Sequence, residues 1–232
     1  MNLIWQGIVE AFRLLIHGDR EMLRIAALSL EVSLSATAIS LILGIGAGTA
    51  IGLNKFTGRK FVISLVNTGM GLPPVVVGLA VMIFLWRGGP LGFLHILFTP
   101  VAMAVAQVII SLPIITGFTA ASIQQLDTKL RFQILALGAS RFQMVWLVIK
   151  ETRLPLLAAV MAGFGGIISE VGASTMVGGN IMDQTRVLTT AIVMEAGRGD
   201  FGLAIALSVI LMILVYAVNL VLTMIQQRNK AQ

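Results

Sequence analysis

The sequence predicts an all-α integral membrane protein with about five membrane helices and an N-terminal interfacial helix. Three observations carry that prediction. Of 232 residues, 57% are hydrophobic and 11% are charged, against about 25% charged in an ordinary soluble domain. Mean hydropathy is +0.97, more apolar surface than a soluble core of this length can bury. The apolar residues gather in runs of about 20 or more, the length that crosses a hydrocarbon core of roughly 30 Å.

Residues 1–24 come first. Trp5, Ile8, Val9, Phe12 and Ile16 recur at helical spacing, with Glu10 and Arg13 among them. A basic leading region and a small-residue cleavage site are missing, so the segment does not read as a signal peptide. It reads as an interfacial amphipathic helix, or alternatively as a frayed first membrane helix. A transmembrane domain follows over 25–226, with spans at about 25–53, 61–85, 99–122, 154–177 and 201–225, and a short tail over 227–232 closes the chain. No long linker, low-complexity tract or internal repeat divides it.

Five spans put the termini on opposite sides. Lys55, Arg59, Lys60, Lys129, Arg131, Arg141, Lys150, Arg153, Arg228 and Lys230 fall on the side of the C-terminus; the other side has Arg13, Arg20, Arg24, Arg87, Arg186 and Arg198, offset by six acids. The richer side is expected to be cytoplasmic, which places the N-terminus outside. The net charge of +6 and pI near 10.5 then reflect basic loops and not nucleic-acid binding.

The chain has no cysteine, which removes disulfides, thiolate nucleophiles and Cys-ligated metals together, and its histidines, His17 and His95, lie far apart. No metal site is expected. Phosphate-binding G-x-x-x-x-G-K-[ST], HExxH and GxSxG patterns are all missing. The spans hold only Glu31 and Glu170 as acids. The reading is therefore not an enzyme, with no cofactor in this chain. Glu31 can snorkel outward or pair with Arg24.

Inside the spans the informative features are small residues and breaks. Gly44, Gly48 and Gly52 form a ridge that admits a neighbouring helix. Pro73 and Pro74 remove two backbone donors and break the second span; Ser111-Leu112-Pro113 is expected to do the same in the third. Such breaks point to a permeation pathway. Glu170 needs a partner or a wet cavity, which makes it a candidate functional site; if the substrate is an anion, the reading is a structural or gating role, bonded to backbone N–H groups or an arginine. Thr68, Ser111 and Ser174 are candidate lining donors. The segment over 180–202 reads as a short helix and turn at the outer face, where Thr185, Arg186, Thr189 and Thr190 supply donors; a solvated loop is the plain alternative. The stretch 124–153 is the longest cytoplasmic segment. Its apolar spacing gives a helix–turn–helix broken at Gly138, which lies on the membrane or docks into a partner.

The run RFQILALGASRFQMVWLVIKETRLPLL resembles the coupling loop of ABC-importer permeases. Leu137, Gly138, Ala139 and Ser140, with Arg141 after them, match its Gly-centred turn, and Leu154-Pro155 matches its end. Phe132, Gln133 and Ile134 stand where the family has Glu-Ala-Ala, and the spacing from Gly to Leu-Pro is about four residues longer. GLPPVVVGL resembles the molybdate, tungstate and sulfate branch, and ISEVGASTMVGGNI with TRVLTTAIVMEAGRGDFG is most similar to tungstate permeases.

The resemblance implies a type I ABC-importer transmembrane domain in which two permease chains form the pathway. Two partner ATPases bind ATP and magnesium, and an extracytoplasmic binding protein delivers the oxyanion. One coupling loop per chain implies a homodimer. Three rivals stand beside tungstate import: a molybdate or sulfate permease, a secondary carrier driven through Glu170, and a membrane assembly subunit that transports nothing.

Overall fold

The computed structural model describes residues 2–228, and all regular structure among them is helical. Residues 229–232, with Lys230 and most of the expected tail, lie outside the described residues. Helix α1 (Asn2–His17) leads through Gly18, whose φ is +62°, into α2 (Arg20–Leu53). Asp19 caps α2 by accepting the N–H of Met22 at 2.8 Å. The rest of the chain runs through α3 (Arg59–Met70), α4 (Pro74–Leu85), α5 (Pro100–Gln124), α6 (Thr128–Ala136), α7 (Arg141–Glu151), α8 (Arg153–Ile168), α9 (Gly172–Gly178), α10 (Leu188–Arg198) and α11 (Phe201–Arg228).

Helices α2, α5 and α11 are each long and apolar enough to cross a membrane. Two further spans form if α3 with α4, bent by 101°, and α8 with α9, bent by 58°, are each taken as one. Five spans on that reading match the expected number, but two of the five are broken.

Four residues of α2 lie along α5. Ser40, Gly44, Gly48 and Gly52 meet Ser111, Ile115, Thr119 and Ile123, each pair one turn beyond the last. Both series ascend together, so the two helices run parallel, as the first and third of alternating spans must. The absence of side chains on α2 sets the separation: a Cβ at Gly48 would lie 2.5 Å from Thr119 Cβ and 2.6 Å from the Thr116 carbonyl oxygen. Burying the backbone this closely supplies the packing that lipid cannot drive through hydrophobicity. The hydroxyls of Ser40 and Ser111 hydrogen-bond at 2.6 Å on the same seam.

Helix α2 also divides between two cores. Val32 and Ala36 join Val77, Met103, Ile167 and Ala173 of α4, α5, α8 and α9. Met22, Ile25 and Ala26 join Ala11, Leu188, Ala206 and Ile210 of α1, α10 and α11. Helix α1 meets α11 through Gly7, where a Cβ would lie 2.5 Å from Ile205 Cγ2. Trp5, Val9, Phe12 and Ile16 remain exposed. The face that joins α1 to the bundle is thus its small-residue face, and the stripe read from the sequence points away from it.

The seam gives a matched pair of tests. Gly48→Ala places a methyl group into Thr119 and is expected to destabilise by about 1–3 kcal/mol, the usual cost of overpacking. Gly46→Ala, two residues away with nothing within 4 Å of its added carbon, is expected not to lower the midpoint. Thermal unfolding in detergent reads both.

Candidate functional site

The two breaks lie side by side. Pro73 is the N-cap of α4 and Pro74 its first residue, where the missing N–H is one the helix would have left unpaired anyway. Pro73 O then accepts the N–H groups of Val76 at 2.9 Å and Val77 at 3.3 Å. The second break falls between Ile168 and Gly172. The bent halves α4 and α9 touch backbone to backbone: a Cβ at Gly78 would lie 2.6 Å from Ala173 Cα, and one at Gly172 would lie 2.5 Å from Val75 Cγ2. At this level Asn67, Thr68, Gly71 and Ser169 are exposed.

Glu170 is half-buried in the second break. Its Oε1 accepts the N–H of Ala173 at 3.0 Å, its main-chain oxygen accepts the Thr189 hydroxyl at 3.1 Å, and its own N–H donates to Ile167 O at 3.2 Å. The carboxylate meets a backbone N–H and, among the described residues, no arginine.

The other candidates separate. Thr68 stays exposed one turn before the break and donates to Ser64 O at 2.9 Å. Ser111 is fully buried on the α2–α5 seam and donates to Gln107 O at 2.9 Å. Ser174 is 1% exposed, enclosed where α9 packs on α4 and α5. Within the single chain neither serine faces open space, contrary to their expected lining position. Pro113 does not break its span, because α5 runs unbroken through it. Its ring fills the gap over Gly69 of α3, where a Cβ would lie 2.8 Å from Pro113 Cγ.

The turn between α6 and α7 is fixed twice. Gly138 has φ +85°, its N–H donates to Leu135 O at 3.0 Å, and the Ala139 N–H donates to Ile134 O at 3.3 Å. Those two bonds end α6 in a Schellman motif, which needs the left-handed residue that glycine supplies. Ser140 opens α7 with a capping box: its hydroxyl accepts the Gln143 N–H at 3.2 Å, and Gln143 Oε1 accepts the Ser140 N–H at 2.7 Å. Leu137 and Phe142 project from this turn at 88% and 81% exposure, while Arg141 starts α7 beside them, also exposed.

Arg131 ties the turn to the bundle, a part not visible when it is counted only as a basic loop residue. Its Nη1 donates to Leu53 O at 3.4 Å, and its Nη2 donates to Gly52 O at 3.4 Å and Ile123 O at 3.0 Å. One guanidinium thus caps the C-terminal ends of both seam helices, where the helix dipole favours a cation. Arg59 Nε adds a bond to Ile51 O at 3.0 Å.

The opposite face is folded, not solvated. Thr185 is fully buried; its hydroxyl donates to Gly178 O at 2.5 Å and accepts the Ile181 N–H at 3.0 Å. Thr189 and Thr190 are buried as well, and Ser29 of α2 accepts the N–H of Leu188 at 2.8 Å. These threonines are committed within the chain, which corrects the expectation of donors offered outward. Arg186 lies 3.6 Å from Glu21, and Arg24 pairs with Asp183 at 2.9 Å and not with Glu31.

A family model described as "Binding-protein-dependent transport system inner membrane component" matches residues 40–231. The chain is 42% identical over 203 residues to a probable anion ABC transporter permease protein of Haloferax volcanii, covering 85% of this chain and 88% of that one. It is 37% identical over 227 residues to the tungstate uptake system permease protein TupB of Peptoclostridium acidaminophilum, covering 98% of this chain and 100% of that one. A sulfate transport permease of Synechocystis and a molybdenum transport permease of Haemophilus influenzae match at 24% and 25%. Among solved structures, a chain of the MetNI methionine ABC transporter in inward facing conformations superposes with a TM-score of 0.68 at 18% identity. It covers 90% of this chain and 94% of that one, a likeness of fold alone.

The Arg131 clamp has a measurable consequence. Arg131→Met removes three charge-assisted bonds and is expected to loosen the α6–α7 unit by about 1.5–3 kcal/mol. Hydrogen exchange should then quicken over 128–145 while α8 stays protected.

Proposed function

The chain belongs to the family of binding-protein-dependent transport system inner membrane components and has the fold of a type I ABC-importer transmembrane domain; from that premise we propose that it is the permease subunit that carries tungstate from a binding protein into the cytoplasm. Similarity over nearly its full length to a tungstate uptake permease carries the choice of ion. Two helix breaks side by side within the spans, with exposed backbone and hydroxyls that lipid cannot solvate, support a pathway at that level.

The family's members are membrane components without a catalytic role. ATP and its magnesium ion bind in partner ATPases, two per assembly, which seat on Leu137, Gly138, Ala139, Ser140 and Arg141. With one such turn per chain, the working unit is a homodimer. The basic face is cytoplasmic and the N-terminus lies outside.

The geometry gives the mechanism its parts. Closure of the ATPases draws the two Gly138 turns together. The turn is rigid at both helix ends, and Arg131 passes its displacement to the ends of α2 and α5 as one pair. The spans that can yield are those already broken, at Pro73–Pro74 and at Glu170. There the oxyanion meets backbone N–H groups, donors that bind a dianion without trapping it, beside Thr68, whose hydroxyl donates to Ser64 O. Glu170 Oε1 accepts the Ala173 N–H, so its charge is partly offset by a helix N-terminus. That bond supports a helix-capping role over ion coupling, and so primary over secondary transport.

Uptake of tungstate, molybdate and labelled sulfate at nanomolar supply, in cells with and without the gene, tests the ion. Selective loss of tungstate is expected. Equal loss of molybdate would withdraw the selectivity, and no loss at all, with redundant importers removed, would sink the oxyanion reading. Gly138→Asp tests the coupling turn. Its added carbon meets nothing within 4 Å, and the left-handed φ costs about 1 kcal/mol. The protein should insert normally yet lose uptake; normal uptake would remove the coupling assignment.

A further inference from the structure

We propose that the groove between α2, α7, α8 and α11 is a binding site for one anionic glycerophospholipid, whose headgroup is held by Lys150 beside Trp146. The groove has a volume of about 400 Å³. Leu41 and Ile45 of α2 and Leu156, Leu157 and Val160 of α8 form its walls, with Ile225 of α11 at one side. Trp146, Lys150 and Arg153 line its rim, on the face where the basic loops gather. From Arg153 to Val160 the α8 wall extends about 10 Å along the helix, so the groove leads from headgroup level into the hydrocarbon.

The occupant follows from charge and depth. Lys150 is exposed, and its Nζ lies 5.2 Å from the centre of the Trp146 ring. Among the described residues Lys150 enters no ion pair. Glu151 follows it in sequence but does not line the groove. A tryptophan and a lysine at one level, above an aliphatic trough, form the interfacial pairing that receives a phosphate and an acyl chain together. The chain in the trough gives position but no preference, because lipid tails are as apolar as the walls. Selection therefore rests on the headgroup, and a cationic rim selects a net negative one over a zwitterion.

The site also divides the surface of the α6–α7 unit. Leu137 and Phe142 lie at one end, with about 12 Å of helix between Phe142 and Lys150. The lipid would anchor the base of α7 to three spans while the far end stays open to a partner. The inference depends on the chain spanning a membrane and not on which ion is carried.

Native mass spectrometry of the full chain from bilayers of phosphatidylglycerol and phosphatidylcholine mixed one to one tests it. The wild type should retain phosphatidylglycerol in preference. Lys150→Gln should lower the retained ratio about fivefold, the effect of one cationic side chain near an anionic surface, and Lys150→Arg should restore it. Lys60→Gln, an exposed lysine that does not line the groove, should leave it unchanged. Equal retention of both lipids by the wild type, an unaltered ratio in Lys150→Gln, or an equal fall in Lys60→Gln would overturn the site. Because the chain has no native cysteine, Leu157→Cys reports on the groove alone. A crosslink from it to a second copy of the chain would show protein there instead of lipid and would also overturn the proposal.

Discussion

The parallel contact of α2 with α5 is the constraint on which the other elements depend. Glycine at three successive turns of α2 lets Ile115, Thr119 and Ile123 of α5 pack directly onto its backbone. One end of this pair is closed by the Arg131 guanidinium across the carbonyls of Gly52, Leu53 and Ile123. Away from that end, α2 passes from one hydrophobic core into the other. The broken spans can depart from regular helix because this unbroken pair holds their neighbours in place. A membrane protein cannot rely on water to drive its helices together, so close backbone approach has to supply the frame.

Much of this frame was legible, because its signals are local or periodic. The spacing of Gly44, Gly48 and Gly52 announces a close neighbour without naming it. Paired prolines after Gly71-Leu72 announce a break, since no helix interior accommodates two. Gly138 and Ser140 are the residues that a helix end and a helix start each require. Pro113 misleads for a related reason. A single proline frees one carbonyl and leaves the rest of a well-packed helix intact, and Gly69 on α3 makes room for its ring. The difference between one proline and two is visible in the sequence; the receiving glycine on another span is not.

Polar residues within the spans were harder to place. Ser111, Ser174 and Thr185 have the chemistry of a pathway wall, and the folded chain encloses all three. A hydroxyl in an apolar run can satisfy itself on the carbonyl one turn back, as Ser111 does on Gln107, so its presence alone does not tell open space from close packing. Arg131 shows the converse. Counted as a loop charge it looks ordinary, and its importance comes from two helix ends that meet only in three dimensions.

The contact of Gly78 with Ala173 fixes how the bent segments can move. At Gly78 the backbone of α9 fills the space a side chain would need, and at Gly172 the short, branched Val75 side chain of α4 does the same. A tightly packed joint of this kind shifts between discrete arrangements instead of deforming by degrees. The two segments therefore form one packed unit hung from two chain breaks: a swing of that unit as a whole keeps its contacts, where flexing between its parts would break them.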